Sequence, residues 1–314
     1  MTPLDRAVRT VVRDSLAVRE GEDVLVVVDE PLRDLGERLR RAAQSAGADA
    51  VLAVMAARAN HGTEPPRPIA EALAGCDVFI APTTRSLSHT QARKRATDGG
   101  ARGATLPGVT GDMLARLMDL DLDALRERSR AVAALLDEAD DAHVTCPRGT
   151  DLRLDLAGRR GIADDGDLAA PGAFGNLPCG EGFIAPAGGE GVVVARTLAS
   201  LGLVSGPPAR LTLEDGRLAA ATGPEGERLL EMLCAPGAAG TNLAELGVGT
   251  NERAQLTGNI LEDEKLLGSI HVAFGASAGI GGTVAVPIHL DVVVPDATLT
   301  VGGTTVLDEG RFAL

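Results

Sequence analysis

Val24 to Val28 (VLVVV) is a short β-branched apolar run, and the residues after it change period. Such a run is too short for a helix and reads as a strand buried on both faces. Leu32 to Ala46 then sets Leu32, Leu35, Leu39, Ala42, Ala43 and Ala46 on one helical stripe that stops at Gly47. The alternation repeats. Ala50–Met55 reads as a second strand, Ile69–Leu73 lies in a helical stretch, and Val78–Ala81 reads as a third strand. Helical signal returns at Thr90–Asp98, before a fourth strand at Gly103–Leu106. Strands separated by helices require right-handed crossovers, so this third of the chain is expected to form an α/β, Rossmann-like domain on a parallel sheet.

A parallel sheet of this kind often holds a dinucleotide, and the local residues argue against one. The turn after the first strand is Asp29-Glu30-Pro31, which has no GxGxxG and puts two carboxylates where a pyrophosphate would sit. The Gly-rich loop Gly275–Gly282 lies far downstream, outside any strand–helix–strand unit.

Leu122 to Ala142 reads as a long charged helix with Leu122, Leu125, Val132 and Leu136 on one stripe, expected to link two domains. Beyond it the period shortens to strands at Leu152–Leu156, Val192–Ala195, Leu211–Leu213, Ile270–Phe274 and Leu290–Val294. Asp215-Gly216 and Gly302-Gly303 punctuate them as turns. The expected division is an N-terminal α/β domain over residues 1–121, a linking helix over 122–145, and a C-terminal α+β domain over 146–314.

Composition narrows the function. The 314 residues include 5 Phe, no Tyr and no Trp, so the core is aliphatic and stacking platforms for single-stranded nucleic acid are missing. A formal net charge of −14 opposes binding to a phosphate backbone. No apolar run is long enough to span a membrane, and the segment MTPLDRAVRTVVRD lacks the apolar stretch of a signal peptide. Cys76, Cys146, Cys179 and Cys234 form no CxxC pair, which suits a reducing compartment. These features describe a cytoplasmic protein acting on a small molecule, without nucleic-acid or membrane partners.

Chemistry concentrates in the C-terminal half. In a strand, His289 and Asp291 project from one face while Leu290 points the other way. With His271 on a neighbouring apolar strand, they match a facial triad, in which two imidazoles and one carboxylate hold a divalent metal and leave positions open. Structural histidines remain the competing reading. Glu181 and Glu245 sit among apolar neighbours, where a carboxylate is costly unless paired or metal-bound. The run Glu262-Asp263-Glu264-Lys265 reads by default as a solvated face, from which one member could turn inward to support a ligating His. In the first domain, Ser86-Leu87-Ser88-His89-Thr90 follows the third strand. His89 is placed there to act as an acid or base in an interdomain cleft, or else Ser86 or Ser88 simply caps the next helix. His61 and His143 are read as surface residues, and Cys179 lacks an identifiable base.

Several of these stretches resemble one family when taken together. They are Thr84-Arg85-Ser86-Leu87-Ser88-His89-Thr90, Gly100-Ala101-Arg102 through Leu106-Pro107-Gly108, and Phe174-Gly175-Asn176-Leu177-Pro178 with Glu181. Leu256-Thr257-Gly258-Asn259-Ile260 through Asp263-Glu264-Lys265, His271, and His289-Leu290-Asp291 complete the set. The chain is similar over nearly its whole length to the thermophilic aminopeptidase (aminopeptidase T) superfamily, which includes 2,5-dihydroxypyridine dioxygenase. The resemblance implies a homodimeric two-domain metalloenzyme with its metal in the C-terminal domain. In the aminopeptidase branch it implies two metals on Glu181, Glu245, His271, His289 and Asp291, together with a tyrosine. Here the stretch after His271 reads Phe274-Gly275-Ala276-Ser277-Ala278, without one. In the dioxygenase branch it implies one Fe(II) on His271, His289 and Asp291, with His89 as base toward a phenol-like substrate. The complete triad favours the oxygenase over the hydrolase, with Glu181 and Glu245 shaping the cleft. Zn, Co and Mn suit the same donors.

Overall fold

The computed structural model describes all 314 residues, and the chain folds as two compact units. Met1–Leu122 with Gly166–Cys179 form the first, and Asp123–Asp165 with Gly180–Leu314 form the second.

The first unit is built on a five-stranded sheet in which every pair is parallel. Its spatial order is Asp49–Met55, Asp23–Asp29, Val78–Thr83, Arg102–Pro107 and Phe174–Asn176. The four strands read from the apolar runs are present, as is the helix Arg33–Ser45 between the first two. That helix lies close on the sheet because Gly36 has no side chain: a Cβ there would stand 2.4 Å from Val28 Cγ1. Asp29 is fully buried and accepts the Thr84 amide N–H at 2.7 Å, so a carboxylate fills the end of the first strand.

The fifth strand corrects the expected division at 1–121. Residues 166–179 return to the first unit, where Phe174 pairs with Gly103 beside the fourth strand. The Phe174 ring stacks on Phe79 with centroids 6.3 Å apart, and the Arg93 guanidinium lies 4.2 Å over the Phe174 ring. Three residues have too little periodicity to be read as a strand from sequence, and only the open sheet edge gives them that role.

The second unit packs an eight-stranded sheet and a seven-stranded sheet around one aliphatic core. Val144, Leu152, Leu154, Val193 and Leu211 enter it from the first sheet, and Leu246, Val248, Ile270, Val272 and Val292 from the second. The helix Leu122–Glu138 sends Val132 and Leu136 into the same core, so it is a wall of this unit and not a linking element. It ends at Glu138, earlier than the expected Ala142, because Ala142 and Val144 take up period-2 burial in the strand Asp141–Thr145. No helix is long and apolar enough to cross a membrane.

Candidate metal centre

The seven-stranded sheet runs, in spatial order, Gly202–Leu203, Thr197–Leu198, His289–Val294, Ile270–Gly275, Leu243–Gly249, Glu181–Ile184 and Gly161–Asp164. Period-2 alternation separates its two faces. Leu246, Val248, Ile270, Val272, Phe274, Leu290, Val292 and Val294 point into the core. The opposite parity carries Glu181, Glu245, His271, His289 and Asp291.

Residues directly opposite each other on neighbouring antiparallel strands share a face. His271 stands opposite Gly247, Ala273 opposite both Glu245 and Asp291, Gly275 opposite His289, and Gly249 opposite Glu181. Every one of these polar side chains therefore has Gly or Ala beside it, which leaves room for the imidazoles and carboxylates to lean together. A Cβ on Gly247 would lie 2.1 Å from both Cε1 and Nε2 of His271, and one on Gly249 would lie 2.2 Å from the Leu266 carbonyl oxygen.

A bulge sets the position of Glu245. Leu243 and Glu245 would share a face in a regular strand, yet Leu243 belongs to the core and Glu245 to the polar face. The register shift between them adds the residue that reverses the parity.

The donors fall into two sets that share Glu245: Glu181, Glu245 and His271 in one, Glu245, His289 and Asp291 in the other, each with ligand atoms within 4.8 Å. His271 Nε2 is 3.4 Å from Glu181 Oε2 and 3.4 Å from Glu245 Oε1. His289 Nε2 is 3.2 Å from the other Glu245 oxygen and 3.4 Å from Asp291 Oδ1. Glu245 thus stands between the two imidazoles, a more central place than shaping a cleft. His289 Nδ1 lies 2.7 Å from the Ala276 carbonyl oxygen. A carbonyl only accepts, so Nδ1 carries the proton and the Nε2 lone pair of the neutral ring faces the carboxylates.

The run Glu262–Lys265 corrects the reading of a solvated face. Glu262, Asp263, Glu264 and Lys265 are all buried. Asp263 accepts from the Thr257 amide at 2.7 Å, the Gly258 amide at 2.8 Å and the Thr197 hydroxyl at 2.8 Å. Glu262 accepts the Gln255 amide at 2.9 Å. These bonds fix the short helix Ile260–Asp263, and beyond it Lys265 Nζ meets Glu181 Oε1 at 2.5 Å, Glu264 Oε1 at 2.9 Å and Asp164 Oδ2 at 3.4 Å. Lys265 belongs to the run from which one inward-turning member is expected, toward a ligating His, whereas Asp164 carries no expectation. The available signal was the string of four charges between two apolar runs, which backbone amides and an ammonium make burial-compatible.

Charge decides what this face can hold. Asp164, Glu181 and Glu264 surround the Lys265 ammonium, Glu245 and Asp291 stand against His289, and Glu181 Oε2 is buried without a hydrogen-bond partner. Burial raises the Glu181 and Glu264 carboxyls, against the pull of Lys265, and carries Glu264 to about 7. Burial opposes protonation of His271, but Glu245, Glu181 and Glu264 outweigh it and raise the imidazole to about 9. His289 is pushed up in the same way by Asp291 and Glu245. The imidazoles draw protons because the face is short of positive charge. Two nitrogen and three carboxylate donors with one orphaned oxygen fit a divalent cation.

A stability consequence follows for metal-free protein. An imidazole raised from 6.5 unfolded to about 9 folded lends stability in full below pH 6.5 and loses it as pH rises through 9. After chelation, the thermal midpoint should fall by several degrees from pH 6.5 to 9. A midpoint that stays level in a differential scanning series would contradict this charge balance.

In the first unit, His89 is exposed in the loop between the strand Val78–Thr83 and the helix Gln91–Asp98. The residue capping that helix is Thr90, whose side chain accepts from Arg93 N, and not Ser86 or Ser88. Ser88 instead meets Thr105 Oγ1 at 2.7 Å and donates to Asn176 Oδ1 at 3.2 Å. His61 is exposed, as its reading as a surface residue expects, and accepts the Ser86 amide on Nδ1 at 3.3 Å.

The parallel-sheet unit and the carboxylate–imidazole face of the second unit define a two-unit mixed α/β fold with a candidate metal centre. The family model of NicX, 2,5-dihydroxypyridine 5,6-dioxygenase, matches residues 7–314, and the chain belongs to that family. The solved structure of 2,5-dihydroxypyridine dioxygenase from Pseudomonas putida KT2440 is similar, with a TM-score of 0.84 at 21% identity over 99% of this chain and 96% of that one. Wild-type AmpT from Thermus thermophilus is similar with a TM-score of 0.72 at 20% identity, covering 99% of each chain. At these identities the two likenesses establish the fold, and with the family match they bear out the superfamily resemblance. No curated protein matches the chain by sequence.

Proposed function

We propose that this protein is an Fe(II)-dependent dioxygenase acting on a small hydroxylated heteroaromatic of the 2,5-dihydroxypyridine kind. Family membership supports the reaction class, and the observation that supports the metal is the pair of donor sets sharing Glu245, with His271 in one and His289 and Asp291 in the other. His271, His289 and Asp291 are the proposed ligands. When bound, the ion would bring substrate and O₂ together and relay electrons from the substrate, which is oxidised, to O₂, which is reduced.

The chain's own residues hold and orient. The Ala276 carbonyl keeps Nε2 of His289 as the free donor. His289 and Asp291 are partly exposed, with side-chain exposures of 18% and 15%, so substrate approaches the ligand set from their end. His271, 1% exposed, closes the other. His89 is the proposed base for a substrate hydroxyl, since imidazole titrates near neutral pH. The homodimer expected from the resemblance belongs to the same proposal, and sedimentation decides it.

Anaerobic loading with Fe(II), followed by 2,5-dihydroxypyridine and air, should give O₂ uptake matched to substrate loss. An oxygen electrode that stays silent with iron-loaded protein overturns the reading. The two donor sets sharing Glu245 favour one alternative, a dinuclear hydrolase in which a bridging water attacks an amide. Two metals per chain with cleavage of an aminoacyl chromogenic substrate would move the assignment there.

A further inference from the structure

Two donor sets joined by one carboxylate are, by residue type alone, a place for two cations. Lys265 alters that count. Its side chain is fully buried, and Nζ lies 2.5 Å from Glu181 Oε1, leaving only Oε2 of that carboxylate turned toward His271. Glu264 and Asp164 hold the ammonium from two further sides, at 2.9 and 3.4 Å.

The lysine is also built in, because its backbone has no freedom to withdraw. The Asn251 amide donates to the Lys265 carbonyl at 2.9 Å, and the Lys265 amide donates to Glu262 O at 3.0 Å. A Cβ on Gly249 would lie 2.7 Å from the Lys265 carbonyl carbon, so the chain crosses the sheet there only because that position is glycine. Asp263, tied to Thr197, Thr257 and Gly258, anchors the segment just before it.

We propose that Lys265 restricts this centre to one divalent ion: its fixed ammonium takes the charge place beside Glu181 that a second cation would occupy. The inference rests on the single-metal reading above and deepens it, naming the residue that separates one-metal from two-metal use of the same donors. The physical cause is repulsion between like charges a few ångströms apart in a buried setting, where solvent screening is weak. With the ammonium in place, Glu181–Glu245–His271 is left with one ion pair already satisfied and a neighbouring positive charge. The set Glu245–His289–Asp291, at the more open end and carrying two of the three proposed ligands, keeps its attraction for a cation.

The test counts metals in the full-length protein. Chelated protein is dialysed to equilibrium against Mn(II) or Co(II) and analysed for bound metal, with the visible spectrum of the cobalt form as a second readout. Wild type should hold one ion per chain, and Lys265→Met two, with a cobalt spectrum that develops in two stages. Lys265→Arg, which keeps the charge, should stay at one. Should Lys265→Met fail to fold with three carboxylates left unpaired, Glu264→Gln combined with Lys265→Met removes one of them and carries the same expectation. A folded charge-removed variant that still holds one ion, or a wild type that takes two, overturns the role given to Lys265. A wild type that binds no ion overturns the metal reading beneath it, so the two failures are distinct.

Discussion

His289→Ala is expected to lower divalent-metal affinity by about 100-fold or more and to abolish oxygen-dependent turnover. The scale follows from the 10–100-fold that loss of a mere supporting partner costs at metal sites, since this substitution removes a direct donor. His289 Nε2 is the nitrogen of the more open donor set, and the Ala276 carbonyl fixes its tautomer. No neighbouring nitrogen can replace it, because the other imidazole, His271, is itself a proposed ligand and stands between Glu181 and Glu245. The side chain is 18% exposed and lies outside the aliphatic core, so the variant should fold and melt within a few degrees of chelated wild type. Metal titration by calorimetry beside a thermal melt separates the outcomes. Unchanged metal affinity in a folded variant removes His289 from the ligand set.

Gly247→Ala should nearly empty the centre, although it adds only a methyl group. In an isolated strand the change would be mildly favourable. Here the new Cβ would stand 2.1 Å from two ring atoms of His271, where ordinary contacts begin near 3.4 Å. The ring, 1% exposed, lies between two carboxylates, so moving it breaks both contacts. Overpacking of this kind costs about 1–3 kcal/mol. The displaced Nε2 should lower metal affinity about as far as removing the imidazole. The measurements are again a metal titration and a melt, with Gly279→Ala as the control, since a Cβ there meets nothing within 4 Å. Equal behaviour of the two glycine variants would show that the close approach at Gly247 does not govern the site.

The two substitutions mark where the residue string was informative. The parity of His289, Leu290 and Asp291 was legible because a strand's period is fixed. His271 is expected on a neighbouring strand, but the register that brings it close, pairing Gly275 with His289 and Ala273 with Asp291, arises only from strand pairing. Glu245 was harder still. Its apolar neighbours marked it as unusual, but the bulge after Leu243 sets which face it occupies, and bulges leave little trace in a pattern. The small residues at Gly247, Gly249, Ala273 and Gly275 repeat at alternate positions beside the donors, a signal readable in retrospect once the strands are known to be neighbours.

Lys265 shows the opposite case. A run of four charges reads as solvent-facing by default, since burial of each alone is costly. Burial becomes affordable only because Asp263 collects backbone amides and Lys265 meets three carboxylates from separate segments of the chain.

Short-range order therefore came from the sequence by itself: the apolar runs that became the parallel strands of the first unit, the helical stripe on them, and His289 and Asp291 on one strand face. Periodicity acts over a few residues and needs no distant partner. The tertiary structure decided what depends on pairing between remote segments. It gave residues 174–176 to the first sheet, seated Glu245 between two imidazoles, and buried an ammonium against Glu181. Register, bulges and buried charge balance are properties of neighbouring strands, and no single stretch of the chain contains them.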